Sequence, residues 1–308
     1  VTGPARAAVL GSPIGHSKSP ALHHAAYRHL GVDIAYSAVE MTPEQLEAYM
    51  DGLRGDPDTT DDQDTTDSCW RGLSVTMPLK SAMVKYVDRL SETASALGVL
   101  NTVTFDAGAA GPTLTGHNTD VTGMIRAINH AGGTTERSAV ILGAGGTSLA
   151  AAAALAALGV DRVSLCVRDP ARAADTVRFA ERAGLQVSVV PMQDSAAVLS
   201  GARLVISTLP PHAADAMAAA PRLQGRVDGG AGILLDVAYE PWPSALAQTW
   251  RGRGGVIVPG LEMLLYQGLE QVRMFTGSSF HDEPGVINAM CDAVRLPRRD
   301  PRPPDMAG

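Results

Sequence analysis

At 308 residues the chain exceeds the size at which one hydrophobic core usually stops growing, so two domains sharing a cleft are expected. Its 45% hydrophobic and 19% charged content excludes wholesale disorder. A formal net charge of −7 excludes a polyanion such as nucleic acid as the main partner, because a phosphate backbone needs a dense basic surface, but it leaves room for a pocket holding one small phosphate.

In chain order, β-branched and apolar segments alternate with helical patterns, which points to α/β architecture with largely parallel sheets. Strands are expected at Ala7–Leu10, Ile34–Val39 and Gly72–Val75, with helices between them, as one α/β unit. Gly55–Ser68 is dense in Asp and Thr and nearly lacks apolar side chains, so it reads as a mobile loop between a helix and a strand. Ala139–Leu142 reads as a buried strand, turned by Gly143–Gly146 into an alanine-rich helix from Thr147 to Leu158 that Gly159 caps. Arg162–Val167, Val187–Val190, Leu204–Ser207 and Ile233–Val237 complete a run of βαβ units, a Rossmann-like domain from about 120 to 255. The helical pattern from Leu261 to Thr276 is expected to fold back onto the first unit, residues 1–119. Within this last part, residues 256–308, the stretch Arg295–Gly308 is expected to fray.

The run Gly143, Ala144, Gly145, Gly146, Thr147 and Ser148 places a tight turn and bare backbone where a helix begins, so its amides and the helix dipole can face a pyrophosphate. Ser148 stands in the third-glycine place, where a small residue suffices for helix and strand to approach. Cofactor choice is written at the end of the second strand, and here Arg168 and Arg172 favour NADP, since a guanidinium pairs bidentately with the extra phosphate. Asp169 between them either repels that phosphate or caps the helix opening at Pro170; the cap is the favoured reading.

Five further stretches carry polar residues at turns, where a ligand-lining site puts them. They are Gly11–Pro20, Gly72–Lys80, Leu100–Thr102, Gly116–Asp120, and Gly260–Gln267 at the start of the returning helix. In this order around a Gly-Ala-Gly-Gly turn, the set resembles the shikimate dehydrogenase family across nearly the whole chain. The resemblance implies a substrate-binding catalytic domain over 1–119, an NADP-binding domain over 120–255 and C-terminal helices over 256–308. It implies reversible, NADPH-dependent reduction of 3-dehydroshikimate to shikimate, a step toward chorismate and the aromatic amino acids.

The same resemblance implies that Ser17 and Ser19 hold the substrate carboxylate, with Thr76, Asn101 and Gln267 bonding the carboxylate or ring hydroxyls and Tyr239 near substrate and nicotinamide. It casts Lys80 as proton donor and acceptor with Asp120 as its partner, and adds Thr208 and Gly260 to the cofactor residues. Hydride arriving at a ketone carbon builds negative charge on oxygen, which a nearby ammonium stabilises and protonates. Simpler readings stand beside these: Lys80 as a solvated charge opening a helix at Ser81, Ser17 and Ser19 or Asp120 as helix caps, and Tyr239 as packing. His16, His23, His24 and His117 are read as packing or surface residues.

The chain departs from the family pattern in three places. Ser74 stands where most members carry Asn, Val167 and Asp169 flank Arg168 in place of Asn and of Thr or Asn, and Leu209-Pro210-Pro211 replaces a glycine-containing turn. An NAD-dependent quinate or quinate/shikimate dehydrogenase, and a regulator that binds shikimate without turning it over, are the competing readings. Cys69, Cys166 and Cys291 match neither zinc-ligand spacing nor a disulfide framework, so no metal is expected. With no apolar run near the roughly 20 residues of a membrane span, a cytoplasmic, uncleaved chain is expected. Its partners are small molecules, and the oligomeric state is open, a homodimer among the options.

Overall fold

The structure, a computed structural model, describes residues 5–54, 70–106, 112–277 and 280–299. The chain is an α/β protein that divides into two compact units, one containing the described residues up to Thr119 and from Gly268 on, the other Asp120–Gln267.

Unit 1 opens with β1 (Ala5–Gly11), α1 (Ser19–Leu30), β2 (Ile34–Glu40) and α2 (Leu46–Arg54). It continues with β3 (Trp70–Val75), β4 (Arg89–Leu90), α3 (Glu92–Leu97), β5 (Thr102–Asp106) and β6 (Thr113–His117). Pro20 sits in the first turn of α1 and Gly31, at φ 67°, ends it, the expected asymmetry of helix termini. The strands form one sheet in the order β2-β1-β3-β5-β6-β4. β1 is buried from Ala7 to Gly11 as a central strand, and Leu10, Leu73, Leu79, Met83, Leu100 and Leu114 build the core below it.

Pairing is largely parallel as expected, but this sheet is mixed: β1 pairs β2 and β3 and β4 pairs β6 in parallel, while β5 runs antiparallel to both β3 and β6. The short connection from Asp106 to Thr113 suits a hairpin and is too short for the crossover that a parallel pair requires. The strands β5 and β6 went unread because their period-2 alternation is carried mainly by threonine. The expected loop Gly55–Ser68 lies outside the described residues, as does Asp300–Gly308.

Unit 2 runs α4 (Asp120–His130), β7 (Ser138–Leu142), α5 (Gly146–Ala157), β8 (Arg162–Val167), α6 (Ala174–Arg182), β9 (Gln186–Pro191) and α7 (Ser195–Ser200). Then come β10 (Leu204–Ser207), α8 (Asp215–Ala218), β11 (Ile233–Asp236), α9 (Ala245–Gly252) and β12 (Val256–Pro259). Its sheet is all parallel in the order β12-β11-β10-β7-β8-β9, the doubly wound arrangement in which the strand order reverses between β7 and β10. The edge strand β12 was not anticipated, being four residues long and closed by Pro259.

The 17-residue α10 (Gly260–Thr276) follows, with its first eight residues in unit 2 and the rest in unit 1, and α11 (Glu283–Val294) completes unit 1. Beyond α11 the expectation of fraying is corrected for Arg295–Arg299. The Asn288 side chain donates to the Arg299 carbonyl at 3.2 Å and accepts the Arg299 N–H at 2.7 Å, while Arg298 pairs with Asp292 at 2.5 Å. Among the described residues no helix is long and apolar enough to cross a membrane, and no group of three or more His, Cys, Asp or Glu could hold a metal ion.

Candidate active site

In unit 2 the glycine turn lies at the carboxyl end of β7, where the strand order reverses and open α/β sheets bind ligands. Gly143 takes φ 104°, and a side chain there would meet the Thr208 hydroxyl at 2.6 Å, so this position is closed to any residue with a Cβ. Thr208, just past β10, donates its hydroxyl and its amide to the Leu142 carbonyl at 2.8 and 2.9 Å. Those two bonds fasten the ends of β7 and β10 together beside the turn. Gly145 caps α5 with no side-chain bond, which leaves bare backbone from Gly143 to Gly146, with Ala144 and Thr147 partly exposed, at the positive end of a helix dipole. Ser148 is fully buried, its hydroxyl on the Gly145 carbonyl at 2.6 Å and 3.0 Å from the Thr176 hydroxyl of α6. Its small size lets α5 pack closely, as the third-glycine place demands.

At the end of β8, the Asp169 carboxylate accepts the Ala171 N–H at 3.0 Å and so caps the 3-10 turn Pro170–Ala173. The carboxylate therefore serves its own backbone. Arg168 and Arg172 are exposed, and neither forms an ion pair among the described residues. Two uncompensated guanidinium groups beside the glycine strand fit a phosphate-bearing adenosine, and the bare turn fits a pyrophosphate, so the residues present suit NADP. Gly260 opens α10 against the Val237 carbonyl, where a Cβ would approach to 2.1 Å. Tyr239 is half-buried in the loop after β11, behind the buried Asp236, which accepts the Ser244 hydroxyl at 2.6 Å. Burial pushes the Asp236 carboxyl up, against hydrogen bonds from Ser244 and Ala238 that lower it.

In unit 1 the polar stretches converge at the carboxyl ends of β1 and β3. Thr76 N–H bonds the Leu10 carbonyl at 2.9 Å, Ser12 N–H the Met77 carbonyl at 3.1 Å and Met41 N–H the Gly11 carbonyl at 2.9 Å. Val75 N–H bonds the Asn101 carbonyl at 2.7 Å, and Leu100 N–H the Lys80 carbonyl at 3.0 Å. The antiparallel β5 begins at this same end, so Asn101 arrives there from the opposite chain direction. Ser17, Thr76, Lys80 and Asn101 are thus carried by loops, and Ser19 by the first residue of α1, at one end of one sheet. No helix opens at Ser81; a 3-10 turn spans Ala82–Tyr86 instead, with Lys80 half-buried ahead of it. Neither serine caps α1 by its side chain: Lys18 is the cap residue, and the Ser17 hydroxyl accepts the Ser19 N–H at 3.3 Å.

Asp120, Gln267 and Tyr239 belong to unit 2. Asp120 is buried as the first residue of α4, and Gly123, one turn on, lets that helix meet α10, where a Cβ would reach Gln267 Cβ at 2.9 Å. Gln267 Nε2 donates to the Leu264 carbonyl at 3.2 Å.

A buried side-chain network lies behind Asn101, and its members Tyr36, Thr119 and Gln271 were not read from sequence. Asn101 Oδ1 accepts the Thr119 N–H at 2.8 Å and the Thr102 hydroxyl at 2.9 Å, which fixes the amide with its oxygen inward. Gln271 Nε2 donates to the Asn101 carbonyl at 3.1 Å and to the Thr102 hydroxyl at 2.9 Å. The available signal for Gln271 was spacing: it follows Gln267 by four residues, on the same helical face.

The histidines are structural or exposed. His23 is fully buried, stacked on Tyr36 at 4.0 Å, with Nδ1 2.9 Å from the Ser19 carbonyl; burial lowers its pKa to about 4. His24 Nε2 meets the Tyr36 carbonyl at 2.9 Å and His117 Nε2 the Thr104 hydroxyl at 3.1 Å, while His16 is exposed.

A doubly wound parallel sheet with a glycine turn at its switch point, in one chain with a unit that arrays hydroxyls, an amide and an ammonium, defines a two-unit dinucleotide-binding oxidoreductase class. Comparison with known proteins narrows it. Residues 9–103 match the shikimate dehydrogenase substrate binding domain. The chain is 32% identical to the shikimate dehydrogenase (NADP(+)) of Methanothermobacter thermautotrophicus, across 93% of this chain and 94% of that protein. The crystal structure of Mycobacterium tuberculosis shikimate dehydrogenase matches at 33% identity with a TM-score of 0.76, covering 95% of this chain and 99% of that one. Shikimate 5-dehydrogenase from Thermus thermophilus, solved in complex with NADP(H) and shikimate, matches at 30% identity with a TM-score of 0.72, covering 94% and 99%. This chain belongs to the shikimate dehydrogenase family.

Proposed function

We propose that the chain catalyses the reversible, NADPH-dependent reduction of 3-dehydroshikimate to shikimate, in the cytoplasm, on the route to chorismate and the aromatic amino acids. One observation carries the reading: a family member holds hydroxyl, amide and ammonium groups at a single end of unit 1 and presents two unpaired arginines at the end of β8. A cyclohexene acid with three hydroxyls offers little apolar surface, so it is held by many paired polar contacts that a wrong substrate leaves unmet.

In this reading Ser17 and Ser19 bind the carboxylate, and Thr76, Gln267 and the donating Nδ2 of Asn101 meet carboxylate or ring oxygens. Bound NADPH supplies the hydride. The Lys80 ammonium stabilises negative charge on the ketone oxygen and delivers its proton there; in the reverse direction the neutral amine removes the hydroxyl proton. Asp120 orients the amine. Gly143–Thr147 hold the pyrophosphate, Arg168 and Arg172 the adenosine phosphate, Thr208 and Gly260 also contact the cofactor, and Tyr239 lies near substrate and nicotinamide.

The test is a four-way assay of shikimate and quinate, each with NADP and NAD. Shikimate with NADP is expected to give the highest kcat/KM. A preference for NAD, or for quinate, would replace this reading with that of an NAD-dependent quinate/shikimate dehydrogenase.

A further inference from the structure

We propose that Gln271 is a positioning residue for shikimate recognition, acting through a buried one-way chain of hydrogen bonds that runs from Tyr36, stacked on the His23 that holds Ser19, through Ser74 to Asn101. The inference rests on the proposed reaction and concerns residues that face the protein interior.

The direction of every link follows from donor and acceptor chemistry. The Asn101 carbonyl only accepts, so Gln271 must turn Nε2 toward it and toward the Thr102 hydroxyl. Gln271 Oε1 then faces the Ser74 hydroxyl at 2.8 Å and must accept from it. Ser74 has one proton, committed to Gln271, and its oxygen receives the Tyr36 hydroxyl at 2.7 Å. Onward, Thr102 accepts from Gln271 and gives its own proton to Asn101 Oδ1 at 2.9 Å. The relay is complete from the Tyr36 phenol to the Asn101 amide.

Each end reaches a proposed substrate ligand. Asn101 keeps its oxygen inward, and Nδ2, which also donates to the Thr119 hydroxyl at 3.0 Å, is the end proposed to meet ligand oxygen. The Tyr36 ring stacks on His23 at 4.0 Å, and His23 Nδ1 donates to the Ser19 carbonyl at 2.9 Å. Ser19 is thereby held through its backbone carbonyl.

Gln271 is 1% exposed and Tyr36 and Ser74 are each 4% exposed, so solubility does not account for these groups. Buried polar groups cost stability unless all are satisfied, and a fully satisfied chain of them specifies one geometry where apolar side chains would tolerate several. Ser74 also finds its place here: its only proton serves Gln271, so the residue supports recognition from behind.

The test compares wild type, Gln271→Met and Tyr36→Phe by steady-state kinetics with shikimate and NADP, by calorimetric shikimate binding and by thermal melting. Gln271→Met keeps the length and removes both polar ends; the shikimate KM and Kd are expected to rise about tenfold to a hundredfold, the scale of a misplaced ligand group. The KM for NADP and kcat at saturating shikimate are expected to stay near wild type. Tyr36→Phe keeps the stacked ring and removes one hydroxyl, so a smaller rise in shikimate KM is expected, read on this variant if Gln271→Met does not fold. A wild-type shikimate KM in either folded variant, or equal losses toward shikimate and NADP, overturns the inference. If wild type itself does not oxidise shikimate with NADP, the proposed function falls and the inference with it; normal wild-type turnover with unaffected variants removes the inference alone.

Discussion

In unit 2 the groups proposed to meet the dinucleotide sit mainly in two short stretches, Gly143–Thr147 and Arg168–Arg172, and present backbone amides and exposed guanidinium groups. Unit 1 draws Ser17, Ser19, Thr76, Lys80 and Asn101 from three separate stretches of chain and seats its amide in a network that crosses five segments. The difference follows from what each half must recognise. A phosphate chain is met by any concave turn of N–H groups, which glycine supplies locally. A ring bearing three hydroxyls and a carboxylate needs side chains in fixed orientation, and only tertiary structure supplies that. The first kind of site tolerates change around it, whereas the second depends on its whole framework.

The contrast can be broken most directly at Lys80. If unit 1 carries the chemistry as well as recognition, Lys80→Ala is expected to lower kcat by about 10²–10⁴, the usual contribution of a general acid–base group, with a far smaller change in shikimate KM. Loss of binding equal to the loss of turnover would make the lysine a holder of substrate only.

Next in size is the dependence of unit 1 on a neutral His23. Its pKa is near 4 in the folded protein against about 6.5 when free, so between these values the unfolded chain binds more protons. The stability that a neutral His23 preserves is complete above about pH 6.5 and is lost as pH falls through 4, at most about 3 kcal/mol. Its titratable neighbours Tyr27 and Tyr36 stay neutral throughout, since burial raises both phenols, and His24 adds a smaller repulsion. Urea unfolding at pH 7.5 and 4.5 is expected to show a smaller pH difference for His23→Phe than for wild type. An unchanged difference would place the acid sensitivity elsewhere.

The smallest effect is expected in unit 2. Arg168→Ala with Arg172→Ala is expected to raise the NADP KM about tenfold or somewhat more, the worth of a charge-assisted pair, and to leave the NAD KM nearly unchanged. Equal changes for both cofactors would show that these arginines do not read the extra phosphate.

The contrast also explains what could be read from sequence. The glycine turn was legible because strand, turn and helix are contiguous, and the Asp169 cap because Asp followed by Pro marks a helix start locally. Five polar loops were legible as stretches, and the order of β1, β3 and β5 brings three of them to one end of a sheet. The network was not legible, because Tyr36 meets Ser74 only through the pairing of β1 with β2 and β3, and Gln271 returns from 197 residues away. The short strands β5, β6 and β12 escaped for a plainer reason: threonine-rich or four-residue segments carry little hydrophobic periodicity.

The Asp169 cap carries a consequence for how cofactor preference is encoded. Its carboxylate accepts one backbone amide, that of Ala171, and it and the arginines on either side are exposed. With that single bond released and the acid swung outward, the same strand end would offer an acceptor for ribose hydroxyls in place of a cradle for phosphate. Such a turn of one side chain would leave the parallel sheet beneath it untouched.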